Sequence, residues 1–161
     1  MTQHTHHGTF PELTREETNA TNIDHVLKAW PNTSDFQRQL EFVLRDKSIG
    51  IDFGYYQELP PNVSPDMIEG LPTKMTQSKK MLCFFRNDIK IGDTIIIAQG
   101  LTGCRYLADI ASSYYYQSSE TLSPSVDGSC VHRRRICNIR KLPDGFCRRA
   151  QIKTLAPYKP L

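Results

Sequence analysis

The stretch Ile91-Gly92-Asp93-Thr94-Ile95-Ile96-Ile97-Ala98 leaves this chain the fewest structural options. Gly-Asp is a turn pair, and the residues after it are β-branched and almost wholly apolar. That pattern predicts a strand covered on both faces, because no alternate position is polar enough to face water. A strand covered on both sides needs neighbouring layers, and helices are the obvious source. Just upstream, Met75, Leu82, Phe85 and Ile89 fall near helical spacing, with the hydroxyls of Thr76 and Ser78 ahead of them. The spacing predicts a helix over about 74–87 that enters the strand with Ile91 as an aliphatic anchor.

Further strands read from the same kind of pattern. Residues 104–110 form a second candidate. Residues 131–142 and 146–155 form a third and fourth around Pro143-Asp144-Gly145, since Asp-Gly between two alternating runs is a hairpin signal. In the first third, Thr14-Arg15-Glu16-Glu17 opens a short helix with a hydroxyl cap and an acidic first turn. A stronger helix runs over 34–45, with Phe36, Leu40, Val43 and Leu44 on one face. Ser48 to Phe53 alternates, Ile49 and Ile51 on one side and Ser48, Gly50 and Asp52 on the other, and should deliver Phe53 and Tyr55 to the mouth of a barrel. Gly54, Pro60, Pro61 and Pro65 make the next stretch a loop, with a short helix at 66–69, and Trp30 before Pro31 reads as core. The expected fold is α+β: a bent, mostly antiparallel barrel of five or six strands flanked by the 34–45 and 74–87 helices. A single domain over 11–161 would follow a flexible tail over 1–10.

Net charge of +3 hides an asymmetry. Residues 1–70 hold 5 Lys+Arg against 11 Asp+Glu, a balance of −6, whereas residues 71–161 hold 15 against 6, a balance of +9. Arg133, Arg134, Arg135, Arg140, Lys141, Arg148, Arg149 and Lys153 face only Asp144 across residues 132–153. Such a patch attracts phosphates and holds them by counterion release. The alternative is that the run solvates an exposed sheet edge. On strand alternation, Arg133 and Arg135 should share one face and Arg134 the other.

At this point the residues carry a resemblance. Phe85, Ile89-Lys90-Ile91-Gly92-Asp93 with its strand, a second strand leading to Tyr114-Tyr115-Tyr116, and His132-Arg133-Arg134-Arg135-Ile136 resemble the EVE-like, PUA-superfamily modules at the N-terminus of McrB-type modification-dependent restriction proteins. Those modules are similar in fold to YTH domains. Ser48 to Phe53 followed by Glu58-Leu59 looks like the family's first strand, with Phe53 where a tryptophan is usual. The resemblance covers roughly residues 45–155.

What the resemblance implies is a reader, not an enzyme, that flips a modified (methylated) base of DNA into an aromatic pocket. The walls would be Phe53, Tyr55, Tyr114 and Tyr116, of which the last two should share a face. Asp52, Thr76, Gln77 and Ser78 would read the base edge, and Lys79, Lys80, Arg133, Arg134, Arg135, Arg148 and Arg149 would hold phosphates. In such a restriction or defence system the motor and nuclease lie on other segments or subunits. RNA binding in the PUA or YTH manner, or a protein-interaction surface, are the alternatives.

Other constellations point to less. Cys130, Cys137 and Cys147 with His132 lack any CxxC pair and read as small core groups, with His132 a capping or packing residue. His4, His6 and His7 have no carboxylate or Cys at ligand spacing, so no metal or cofactor is expected. No phosphate loop, nucleophile elbow or nuclease carboxylate cluster is in a persuasive frame. No apolar stretch approaches the roughly 20 residues of a membrane helix, and the N-terminus shows no secretory pattern. Five irregularly spaced cysteines suit reduced thiols in a cytoplasm.

Overall fold

The computed structural model describes residues 10–29, 33–51, 53–71, 76–99, 103–118, 130–146 and 153–155. In chain order the elements are α1 (Arg15–Ala20), β1 (His25–Ala29), α2 (Thr33–Asp46), β2 (Ser48–Ile51), a 3-10 turn (Pro65–Met67) and α3 (Thr76–Asn87). There follow β3 (Thr94–Gln99), β4 (Gly103–Ile110), β5 (Tyr115–Tyr116), β6 (His132–Lys141) and β7 (Lys153–Leu155). The strands form one curled sheet in the order β2-β6-β4-β3-β1-β7, with β5 also pairing β6. The class is α+β.

β3 is covered on both faces, as its composition requires. Ile95 and Ile97 join a large cluster with Leu27, Leu82, Phe85, Ile89 and Ala108, while Ile96 and Ala98 join a second one with Val26, Leu107, Leu142 and Phe146. The turn before it is fixed by Asp93, whose carboxylate accepts from Lys90 N–H at 2.9 Å and sits 2.8 Å from His25 Nε2. Burial pushes that carboxyl up, yet the two contacts outweigh it and hold it below its ordinary range. Ile91 is exposed rather than an anchor; Ile89 takes the buried position, because the turn carries Ile91 outward. At the N-terminal end, Thr14 caps α1 in a complete capping box with Glu17.

Two parts of the strand plan differ from expectation. β1 was not visible in the sequence, and it pairs in parallel with both β3 and β7, so the sheet is mixed. Among the described residues the expected hairpin of 131–142 with 146–155 is not seen; β7 pairs β1 instead. Lys141 N–H donates to Pro11 O and Lys141 O accepts from Leu13 N–H, so the edge beside β6 is already occupied. Leu142 and Phe146 then bury in the same cluster, and the Asp144-Gly145 turn folds the chain down onto the sheet. Trp30, residues 1–9 and Met75 lie outside the described residues.

β6 makes the curl. Its first half pairs β2 and β5, and its second half pairs β4 across a register shift between Leu107 and Asp109. Asn138 stands in the left-handed region there (φ 51°), and the Asp109 carboxylate collects Asn138 Nδ2, Arg140 Nη1 and Thr94 Oγ at 2.9–3.1 Å. Among the described residues, four of the six strand pairings are antiparallel.

Gly50 shows how tightly the β2–β6 pair is built. It lies opposite Arg133, and a Cβ on it would stand 2.5 Å from Arg133 Nη1 and 3.0 Å from both Cys130 Cβ and His132 O. Gly50→Ala therefore has to displace a buried guanidinium, and it should cost about 1–3 kcal/mol of stability, read from urea unfolding. An unchanged midpoint would show that Arg133 is not seated over Gly50.

Candidate functional site

Strand register assembles the candidate site. Ile51, His132 and Tyr116 lie side by side across β2, β6 and β5, and Gly50, Arg133 and Tyr115 form the next row on the opposite face. His132 is wholly buried, and Tyr55, Tyr114 and Tyr116 pack their rings against it at centroid distances of 6.0, 5.9 and 5.6 Å. Tyr114 and Tyr116 thus share a face, and Tyr115 turns away beneath the Arg135 guanidinium.

The hydrogen bonds settle the tautomer of His132. Its Nε2 lies 2.8 Å from Tyr55 O, which can only accept, so Nε2 carries the proton. Nδ1 then accepts from Tyr114 Oη at 2.8 Å, and Tyr114 Oη itself accepts from Leu59 N–H at 3.0 Å. Tyr116 Oη donates to Tyr56 O at 2.7 Å, Arg86 Nε to Leu59 O at 2.8 Å, and Asn87 Nδ2 to Val63 O at 2.8 Å. Residues 55–63 are thereby fixed to β5, β6 and α3. Burial pushes the Tyr114 phenol up to about 12, with Leu59 N–H pulling the other way. Burial likewise pushes His132 down to about 4, against the Tyr55 carbonyl.

Two of the three arginines in the run are buried rather than on the surface. Arg133 is buried, donating to Ser48 Oγ and Cys130 O with its guanidinium 4.8 Å over the Phe42 ring. Ser48 Oγ donates onward to the Asp46 carboxylate. Arg134 is buried on the opposite face, where it caps the end of α3 through Phe85 O and Arg86 O. Burial first, and the Arg86 charge second, lower it to about 10, so it remains a cation at neutral pH. Only Arg135 of the three is exposed, and it pairs with Asp46 at 3.2 Å. These arginines alternate faces as the sequence implies, but helices cover both faces.

The remaining candidates separate. Tyr55 and Tyr114 are core residues, not open walls; Tyr116 and Phe53 are half-buried and pack on the same core. Thr76, Gln77 and Ser78 form the first turn of α3, and Ser78 is buried. Arg86, which lies on Tyr114, is eight to ten residues further along, so those three polar groups stand roughly 12–15 Å from it along the helix axis. Along α3 they lie two to three turns from the residue that meets the aromatic cluster. Lys79 and Lys80 occupy the next positions of the same helix, Lys80 exposed. Asp52, Cys147, Arg148 and Arg149 lie outside the described residues. Sequence reasoning passed over Tyr56, which is 49% exposed, and Arg86. Tyr56 offered a signal in its place beside Tyr55, whereas Arg86 at the end of an apolar helix offered none. Among the described residues no helix is long and apolar enough to cross a membrane, and no three His, Cys, Asp or Glu side chains form a metal-binding group.

His132 gives the site a pH signature. Its folded value, about 4, lies below the unfolded 6.5, so its contribution is full above pH 6.5 and is lost as pH falls towards 4. Over that window the loss should reach about 3 kcal/mol. Gln can replace both hydrogen bonds without titrating, so His132→Gln should flatten unfolding free energy against pH between those limits. Identical slopes in the two proteins would disprove a buried neutral His132. Comparison with family models, curated proteins and solved structures finds no match to this chain.

Proposed function

We propose that this chain is a reader of nucleic acid, DNA in the first instance, that stacks a flipped, modified base on the aromatic rim formed by Phe53, Tyr56 and Tyr116. The observation that carries the reading is the backbone of Phe53. Phe53 and Gly54 both have positive φ, 50° and 77°, a turn geometry that favours Asn-Gly. A bulky aromatic there costs about 1 kcal/mol of local strain. It is half-buried at the exit of β2, beyond Ile51, whose row carries Tyr116. An aromatic kept in a conformation that suits Asn, next to a Tyr56 left largely exposed, is what a stacking platform requires.

The energetics set the scale. Stacking on an aromatic is worth about 1–3 kcal/mol per base, which offsets an unstacking cost of a few kcal/mol. Burying one methyl adds about 0.8 kcal/mol, so sharper selectivity needs a polar contact. Arg133 and Arg134 are engaged inside the protein, so backbone attraction falls to the other cations of the basic half, Lys79 and Lys80 among them. In the role the sequence resemblance implies, the chain supplies specificity within a cytoplasmic restriction or defence system, and other segments or subunits supply motor and nuclease.

Phe53→Asn separates stacking from folding. Asn relaxes the turn while removing the ring, so the melting temperature should stay within a few degrees. Affinity for modified oligonucleotides should fall by about 1–3 kcal/mol. The assay compares matched DNA and RNA carrying N6-methyladenine, 5-methylcytosine, 5-hydroxymethylcytosine or no modification, at two salt concentrations. Preference for RNA would move the reading to a PUA- or YTH-like RNA module. Salt-insensitive or absent binding would favour a protein-interaction surface. A destabilised variant with unchanged affinity would return Phe53 to the core.

A further inference from the structure

Arg86 is held in an unusual way for a half-buried cation. Its Nε donates to Leu59 O at 2.8 Å, and its guanidinium lies 4.6 Å over the Tyr114 ring. Its two Nη groups make no hydrogen bond among the described residues, and no described carboxylate comes within 4.0 Å of it. Nearby stands Arg134, also without an ion pair there, donating to Arg86 O at 3.1 Å. Burial and then the Arg86 charge lower Arg134, while the Asp93 charge acts the other way. Exposed Glu58 acts on Tyr114 without pairing either arginine. Arg134 is compensated by the α3 carbonyls, but the Nη edge of Arg86 has no such partner among the described residues.

Two adjacent guanidiniums with no ion-pair partner among the described residues form a positive centre, and one of them presents a fixed planar fork. A fork of that kind matches the oxygens of a phosphate, and anchoring Nε in advance reduces the entropy lost on binding. Leu59 joins this centre to the aromatic rim. Its N–H is held by Tyr114 and its carbonyl by Arg86, so the segment that carries Tyr56 and the free edge of Arg86 share one anchor.

We propose that Arg86 is the oxyanion-binding residue of this face, its Nη edge taking a backbone phosphate next to the nucleotide whose base stacks on the rim. The assignment rests on the nucleic-acid reading, and the test keeps the two apart. Arg86→Gln removes the cation and Arg86→Lys retains charge without the fork. Each is first checked by melting temperature without anions, then titrated with modified oligonucleotide across salt concentrations, and separately with inorganic phosphate while melting is followed.

Arg86→Gln should weaken oligonucleotide binding about tenfold and flatten the salt slope by about one unit. Arg86→Lys should keep the slope and bind between the other two. Phosphate should raise the melting temperature of the parent protein and not of Arg86→Gln. If the parent binds oligonucleotide and Arg86→Gln binds it with the same affinity and slope, the Arg86 assignment is overturned and the reader stands. If the parent binds no oligonucleotide but shows the Arg86-dependent phosphate effect, the oxyanion site stands and the reader fails. If Arg86 affects neither measurement, the site is overturned whatever the oligonucleotide result.

Discussion

Three polar residues in a row, His132, Arg133 and Arg134, lie inside this protein, and most of the structure follows from how they are satisfied. An unpaired buried polar group costs a few kcal/mol and an unpaired buried charge more, a large share of the roughly 5–15 kcal/mol that holds a domain together. Here His132 uses both ring nitrogens, Arg133 reaches the Asp46 carboxylate through Ser48, and Arg134 takes up carbonyls at the end of α3. Each contact ties β6 to a different element: His132 to the 55–59 segment, Arg133 to β2 and α2, Arg134 to α3. β6 acts as the central post because its polar groups bind in directions that apolar side chains would leave unspecified.

The same arrangement redistributes the candidate surface. A run of three arginines that suggests a phosphate patch is structural in two members and paired in the third. The open aromatic surface shifts from Tyr55 and Tyr114, which close around His132, to Phe53, Tyr56 and Tyr116 at its margin. On the proposed reading, the hydrogen bonds that hold residues 55–59 would reduce the ordering entropy lost when a base stacks on this margin. Arg86 belongs to this margin. It is fixed by the loop it supports and leaves its outer edge unpaired among the described residues.

Much of the secondary structure was legible because it depends on local pattern. Ile95, Ile96 and Ile97 leave β3 no exposed face; Leu40, Val43 and Leu44 keep helical spacing on α2; Thr14 and Glu17 carry their own cap. β1 was not legible, since His25-Val26-Leu27-Lys28-Ala29 is short, has a polar residue at each side of its apolar pair and has no turn pair before it. Its strand character comes from parallel pairing with β3, a contact between residues about seventy positions apart. The expected hairpin, not seen among the described residues, has the same origin. Pro143-Asp144-Gly145 forms its turn, but residues 11–13 occupy the edge that a returning strand would need.

The sequence by itself determined which residues alternate: Arg133 opposite in face to Arg134, Tyr114 with Tyr116 and against Tyr115, Ile49 with Ile51. That much needs only the twofold period of a strand. Only the tertiary structure decided which of those faces meet water. Phe42 of α2 covers Arg133, the end of α3 receives Arg134, and the 55–63 loop closes over His132. Burial is a property of what another part of the chain places on a face, and no local pattern in β6 encodes it.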